Sequence, residues 1–86
     1  MTPADRLSIP AALALAEATL TVRGAGEVIL SAFADDDGVA VGYGVPGLPD
    51  PVGNGPMLVD RRDGDVLLLG SIEQRDRIDA MVEVTL

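Results

Sequence analysis

Met57-Leu58-Val59-Asp60-Arg61-Arg62-Asp63-Gly64-Asp65-Val66-Leu67-Leu68-Leu69 sets two apolar runs on either side of an Asp-Gly pair. Branched aliphatic residues suit a pleated, half-buried strand, and Asp-Gly is among the strongest short signals for a hairpin turn. The stretch therefore predicts an antiparallel hairpin with its turn at Asp63-Gly64. Asp60 closes the first strand, Asp63 supplies turn chemistry, and Asp65 opens the returning strand.

Upstream, Val28-Ile29-Leu30-Ser31-Ala32-Phe33-Ala34 is β-prone and runs into Asp35-Asp36-Asp37-Gly38, after which Val39-Ala40-Val41-Gly42-Tyr43 returns. This is a second predicted hairpin. Alternation places Val39, Val41 and Tyr43 on one face and small residues on the other. Gly42 and Gly44 flank Tyr43 inside the strand, a pattern that marks a bulge or a close backbone approach. Between Val45 and Pro56 lie four of the six prolines and three glycines, read as a conformationally restricted loop crossing within one domain.

At the N-terminal end, Ser8 fits an N-cap and Pro10 fits the first helical turn, where its missing N–H leaves no bond unmade. Leu13, Ala16 and Leu20 follow at helical spacing, with Leu15 broadening the stripe. Arg23 falls in the last turn, and Gly24 or Gly26 stops the helix. A helix over about residues 9–22 results. After Gly70, Ser71 and Gln74 have capping-box spacing. Ile72, Ile78, Met81 and Val82 then outline a second helix to about residue 82. Val82, Val84 and Leu86 also alternate with Glu83 and Thr85 as a strand would.

The chain has 86 residues, enough for one small domain. A domain of this size buries only about 60–65% of its unfolded surface. The hydrophobic fraction is 48%, supplied by Ala, Val and Leu, with Phe33 and Tyr43 as the aromatics. The core is therefore expected to be thin and aliphatic. The expected architecture is α+β: an N-terminal helix on an antiparallel sheet of about four strands, then a short C-terminal helix.

Net charge is −8, from 14 acidic residues against six arginines, with no lysine. Such a surface repels phosphate backbones and anionic membranes, which disfavours nucleic acid and membrane partners, and it suits a basic protein. The apolar stretch from Ile9 to Leu20 has only a poor basic start in Asp5-Arg6 and is opened by Pro10, which reads as a folded helix. No run reaches the roughly 20 residues needed to cross a bilayer. A cytoplasmic location is the expectation.

Histidine and cysteine are absent, which removes the commonest general base and the thiolate nucleophile. No serine sits in a nucleophile elbow, and no carboxylates pair at a recognisable spacing, so no enzyme activity is expected. Asp35, Asp36 and Asp37 fail the EF-hand pattern, whose first and twelfth positions would be Phe33 and Gly44. Gly24-Ala25-Gly26 follows a helix and precedes a strand, the reverse of a dinucleotide fingerprint. No metal and no cofactor is expected. Arg61 and Arg62 are adjacent cations, suited either to local acids or to a partner's carboxylates. Tyr43 is either a packing residue or a partner contact.

Gly53-Asn54-Gly55-Pro56, with Val59-Asp60-Arg61 and Gly64-Asp65-Val66 behind it, resembles the signature of the immunity protein 35 family, also called the YrhB domain family. The close likeness covers about residues 53–70. Members of that family often carry tryptophan near the preceding aromatic, where this chain has Tyr43. The resemblance implies a small α+β immunity protein that binds and neutralises a cognate bacterial toxin; some relatives are chaperone-like. It makes Gly53, Asn54, Gly55, Pro56, Val59, Asp60, Arg61 and Gly64 motif residues of the scaffold and candidates for binding. The sequence leaves the oligomeric state open.

Overall fold

Ser8 starts the first helix as expected. Its hydroxyl accepts from the Ala11 N–H at 3.2 Å, and α1 runs Ile9–Arg23 until Gly24, in the left-handed region at φ 68°, closes it. The computed structural model describes residues 6–47, 54–70 and 74–86. Five strands follow α1: β1 (Val28–Ala34), β2 (Gly38–Gly44), β3 (Asn54–Asp60), β4 (Val66–Gly70) and β5 (Val82–Glu83), with α2 (Arg75–Asp79) before the last. They form one antiparallel sheet in the order β4-β3-β2-β1-β5. The fold is the α+β arrangement that the sequence predicts, with one strand more.

That strand corrects the expected C-terminal helix. The helix ends at Asp79 rather than near residue 82, and Val82 and Glu83 pair with Ala34 and Phe33 of β1. Backbone pairing explains the outcome: β1 has a free edge there, and the Val84 N–H also reaches the Ala32 carbonyl at 2.8 Å. Four bonded residues at an open edge satisfy more backbone than a further half-turn of helix would. The start differs too. Gln74 itself is the N-cap residue, at φ 54° and without a side-chain cap bond, while Ser71 and Ile72 lie outside the described residues.

The sheet buries both faces. On one, α1 lays Ala12, Ala16 and Leu20 over Ala32, Ala34, Val39, Val41, Met57 and Val59, with Tyr43 and Val66 at the margin. Alanines at two of the three helix contacts bring backbone and sheet close, which suits a core without large aromatics. Leu15 is not part of this stripe; it is 37% exposed. Its Cδ1 instead lies over the β3–β4 loop, 3.4 Å from where a Cβ on Gly64 would stand. On the opposite face Ala40, Leu58 and Leu69 pack with Met81 and with the half-buried Phe33 and Ile78. Val39, Val41 and Tyr43 thus share one face and Ala40 takes the other, as their alternation predicts.

Two irregularities adjust the ladders. A bulge in β1 between Ile29 and Ser31 sets Ser31 opposite Gly42. A Cβ on Gly42 would lie 2.5 Å from the Ser31 hydroxyl oxygen, so this glycine provides the close approach that its place in the strand suggests. The second lies between Asn54 and Met57 of β3. It takes in Pro56, which has no N–H to give the ladder, and it extends β3 three residues beyond the predicted start at Met57. Gly53, the first motif residue, lies outside the described residues, as does most of the Gly/Pro loop.

Candidate functional site

The motif residues Asp60 and Arg61 meet the β1–β2 turn at one end of the sheet, while Gly64 closes the β3–β4 loop beside Leu7 and Leu15. Asp36 and Asp37 form the two-residue loop of the first hairpin, closed by the Asp35 N–H bonding to the Gly38 carbonyl at 3.0 Å. Tight hairpins of this length favour turns with positive φ at the loop residues. Neither aspartate has it. The Asp35 carboxylate compensates, accepting from the N–H groups of Asp37 at 2.9 Å and Gly38 at 2.7 Å.

The same carboxylate receives a two-pronged guanidinium from α2. Arg77 donates Nε to Oδ2 at 2.8 Å and Nη2 to Oδ1 at 3.1 Å. The fork holds the Asp35 carboxyl well below its usual range, to about 2, against the opposing effect of burial and with help from the two turn N–H groups. Arg77 is pushed up by the same bond. Gly38 makes room for it: a Cβ there would stand 2.8 Å from Nη2 of Arg77.

Arg61 clips three segments together. Its N–H donates to the Asp37 carbonyl at 2.8 Å, and its carbonyl accepts from the Leu7 N–H at 2.7 Å. Its side chain donates Nε to the Leu7 carbonyl at 2.7 Å and Nη1 to the Asp35 carbonyl at 2.8 Å. It therefore bonds backbone carbonyls rather than the local acids that its neighbour uses. Arg62 does pair locally, with Nη2 3.2 Å from Oδ2 of Asp60, and this bond lowers the Asp60 pKa. Asp63 accepts from the Asp65 N–H at 2.9 Å, and Gly64, at φ 80°, completes a four-residue loop over Arg61–Gly64 that is longer than the Asp-Gly pair alone suggests. Val59 is fully buried under α1.

Tyr43 lies at the far end of β2, half-buried beside the α1 core, with the Arg23 guanidinium 5.6 Å from its ring centre. Asp60, Arg61 and Gly64 lie at the opposite end of the strand, whereas residues 54–56 run into β3 from Tyr43's own end, since Met57 pairs with Val41 and Asp60 with Gly38. Sequence reasoning missed the Asp35–Arg77 fork and the Arg6–Asp37 pair at 3.0 Å. Asp35 and Arg77 stand 42 residues apart, so no local spacing could have linked them.

All six arginines have intramolecular partners. Arg61 holds carbonyls; Arg6, Arg23, Arg62, Arg75 and Arg77 pair with Asp37, Glu27, Asp60, Asp79 and Asp35. Glu17, Asp36, Asp63, Asp65, Asp76 and Glu83 have no arginine partner among the described residues. Uncompensated surface charge is accordingly acidic.

A groove of about 350 Å³ runs between Ile9, Ala34 and Val84, with Asp36, Glu83 and Arg61 at its rim. A second, of about 490 Å³, lies between Leu13 and Glu17 of α1 and Val28 and Ile29 of β1. Their side chains offer carboxylates, one guanidinium, the Thr85 hydroxyl and aliphatic walls. Among the described residues no three His, Cys, Asp or Glu side chains converge to hold a metal ion, and no helix is long and apolar enough to cross a membrane. Comparison with protein-family models, curated proteins and solved structures returned no match to the chain.

Proposed function

We propose that this chain is a non-enzymatic immunity protein, acting in the cytoplasm, that neutralises a cognate toxin by binding a basic surface on it. The observation that carries this reading is the engagement of every arginine within the fold. Guanidinium groups that hold carbonyls and carboxylates in place leave the free carboxylates to face a partner. Complementary charge accelerates encounter and selects against acidic competitors. The motif's resemblance to the immunity protein 35 family supplies the toxin half of the reading. Arg61 holds the hairpin to the N-terminal segment and to the β1–β2 turn, Asp60 pairs with Gly38, and Gly64 closes the hairpin loop, so their part in binding is to fix the acidic end of the sheet.

The test is co-expression with the toxin gene that neighbours the chain's own gene, followed by purification of the pair. Protection of the host and a stoichiometric complex that weakens with salt are expected. Loss of viability with no complex in vitro sinks the proposal. A chaperone-like role is the second reading, favoured by Leu67 and Leu68, which are 51% and 54% exposed. It is supported instead if the chain suppresses heat aggregation of several unrelated proteins.

A further inference from the structure

We propose that the outer edge of β4 is a strand-pairing site for an extended, basic segment of a partner chain. Among the described residues β4 is the last strand of the sheet, paired on one side only. The Asp60 N–H bonds to the Asp65 carbonyl at 2.8 Å, and Leu58 lies opposite Leu67. Bonding alternates along an antiparallel ladder, so Leu67 turns its N–H and carbonyl toward β3, while Val66 and Leu68 turn theirs outward. An added strand would find those groups in register.

The two edges of this sheet are treated differently. At the other edge, β5 covers Phe33 and Ala34, the Val84 N–H takes the Ala32 carbonyl, and the bulge at Leu30 disturbs what is left of β1. Covering and bulging are common devices that keep an edge from recruiting other chains. β4 has neither. Its five residues, Val-Leu-Leu-Leu-Gly, carry no charge and no proline, and the irregularity in this hairpin lies in β3. Leu67 and Leu68 point to opposite faces, each about half exposed, so a paired strand would cover apolar surface above and below the sheet.

Charge selects the occupant. Asp63 and Asp65 lead directly into β4, and among the described residues neither has an arginine partner. A second copy of the chain would bring a net charge of −8 to the same place. A segment alternating apolar residues with lysine or arginine would instead lay its apolar side chains beside Leu68 on one face. The aliphatic stems of its cations would lie beside Leu67 on the other, with the charges toward Asp65. The charge half of this inference rests on the acidic surface invoked above; the strand-pairing half stands on the ladder alone.

A synthetic peptide alternating valine with lysine is the probe, with a backbone N-methylated twin and a valine–glutamate counterpart. Titrated into the full ¹⁵N-labelled chain, the lysine peptide is expected to shift the amides of Val66 and Leu68 most, and to bind more weakly as salt rises. N-methylation should weaken binding at least about tenfold, and the glutamate peptide should not bind. Leu68→Pro removes an outward N–H without touching the β3 ladder and should abolish binding. The Asp63→Asn, Asp65→Asn double variant keeps the edge and should flatten the salt dependence. Equal binding of the methylated peptide, or shifts at Ala32 rather than at β4, overturns the proposal. So does dimerisation of the free chain with its β4 amides protected, which would assign the edge to a second copy. If the peptide binds β4 but no toxin is neutralised, only the immunity reading fails; if a toxin is captured and β4 stays unperturbed by the peptide, only this one does.

Discussion

Replacing Asp35 by asparagine separates its two tasks. Asparagine keeps an oxygen for the Asp37 and Gly38 N–H groups but presents no second carboxylate oxygen to Arg77 Nε. A carboxyl held at about 2 rather than 3.8 in the folded chain is linked to at most about 2.5 kcal/mol of stability. Both partners keep about a third of their side chains exposed, so solvent screening reduces that to about 1–1.5 kcal/mol. Because the folded pKa is depressed, the contribution is present above the unfolded value of 3.8 and is lost as pH falls through about 2. Urea unfolding followed by circular dichroism at a series of pH values measures it. Asp35→Asn is expected to cost about 1–1.5 kcal/mol at pH 7, with the gap to the parent closing between about pH 4 and 2. Asp35→Ala also uncaps the turn and should cost about 2–3 kcal/mol at pH 7. A gap that stays constant down to pH 2, or an asparagine variant no more stable than the alanine one, would refute this account of the fork.

Gly42→Ala pushes a Cβ to 2.5 Å from the Ser31 hydroxyl and is expected to lower stability by about 1 kcal/mol. Adding Ser31→Ala leaves a 3.8 Å contact and should restore most of the loss in the same denaturation assay. Met57 is fully buried under α1, so Met57→Ala should cost about 2–5 kcal/mol by cavity formation, read as a fall in the urea midpoint. Val84→Pro deletes the N–H that reaches Ala32; hydrogen exchange should then show faster exchange at Ala34, with the β2–β3 amides unchanged.

Local sequence was sufficient for α1 and both hairpins, because their information is local. Ser8 and Gly24 cap a helix within its own turns, and alternation in β2 sorts Val39, Val41 and Tyr43 onto one face before any partner is known. The second helix and β5 were legible only as a conflict between two periodicities. An open edge on β1, absent from local sequence, decided between them in favour of the strand. Leu15 fits the helical stripe by spacing, yet the small Ala12 and Ala16 take the contact with the sheet and Leu15 lies over the β3–β4 loop.

The sequence by itself determined the acidic balance, the aliphatic core and the hairpin built around Asp63-Gly64. Only tertiary structure decided what Arg61, Arg77 and Asp35 do. Each has a side chain long or polar enough to serve many partners, and the choice depends on groups brought together from segments dozens of residues apart. The carboxylates left over, and the bare edge of β4, are consequences of those choices. A backbone group is free only once the whole sheet order has settled which strand stands last.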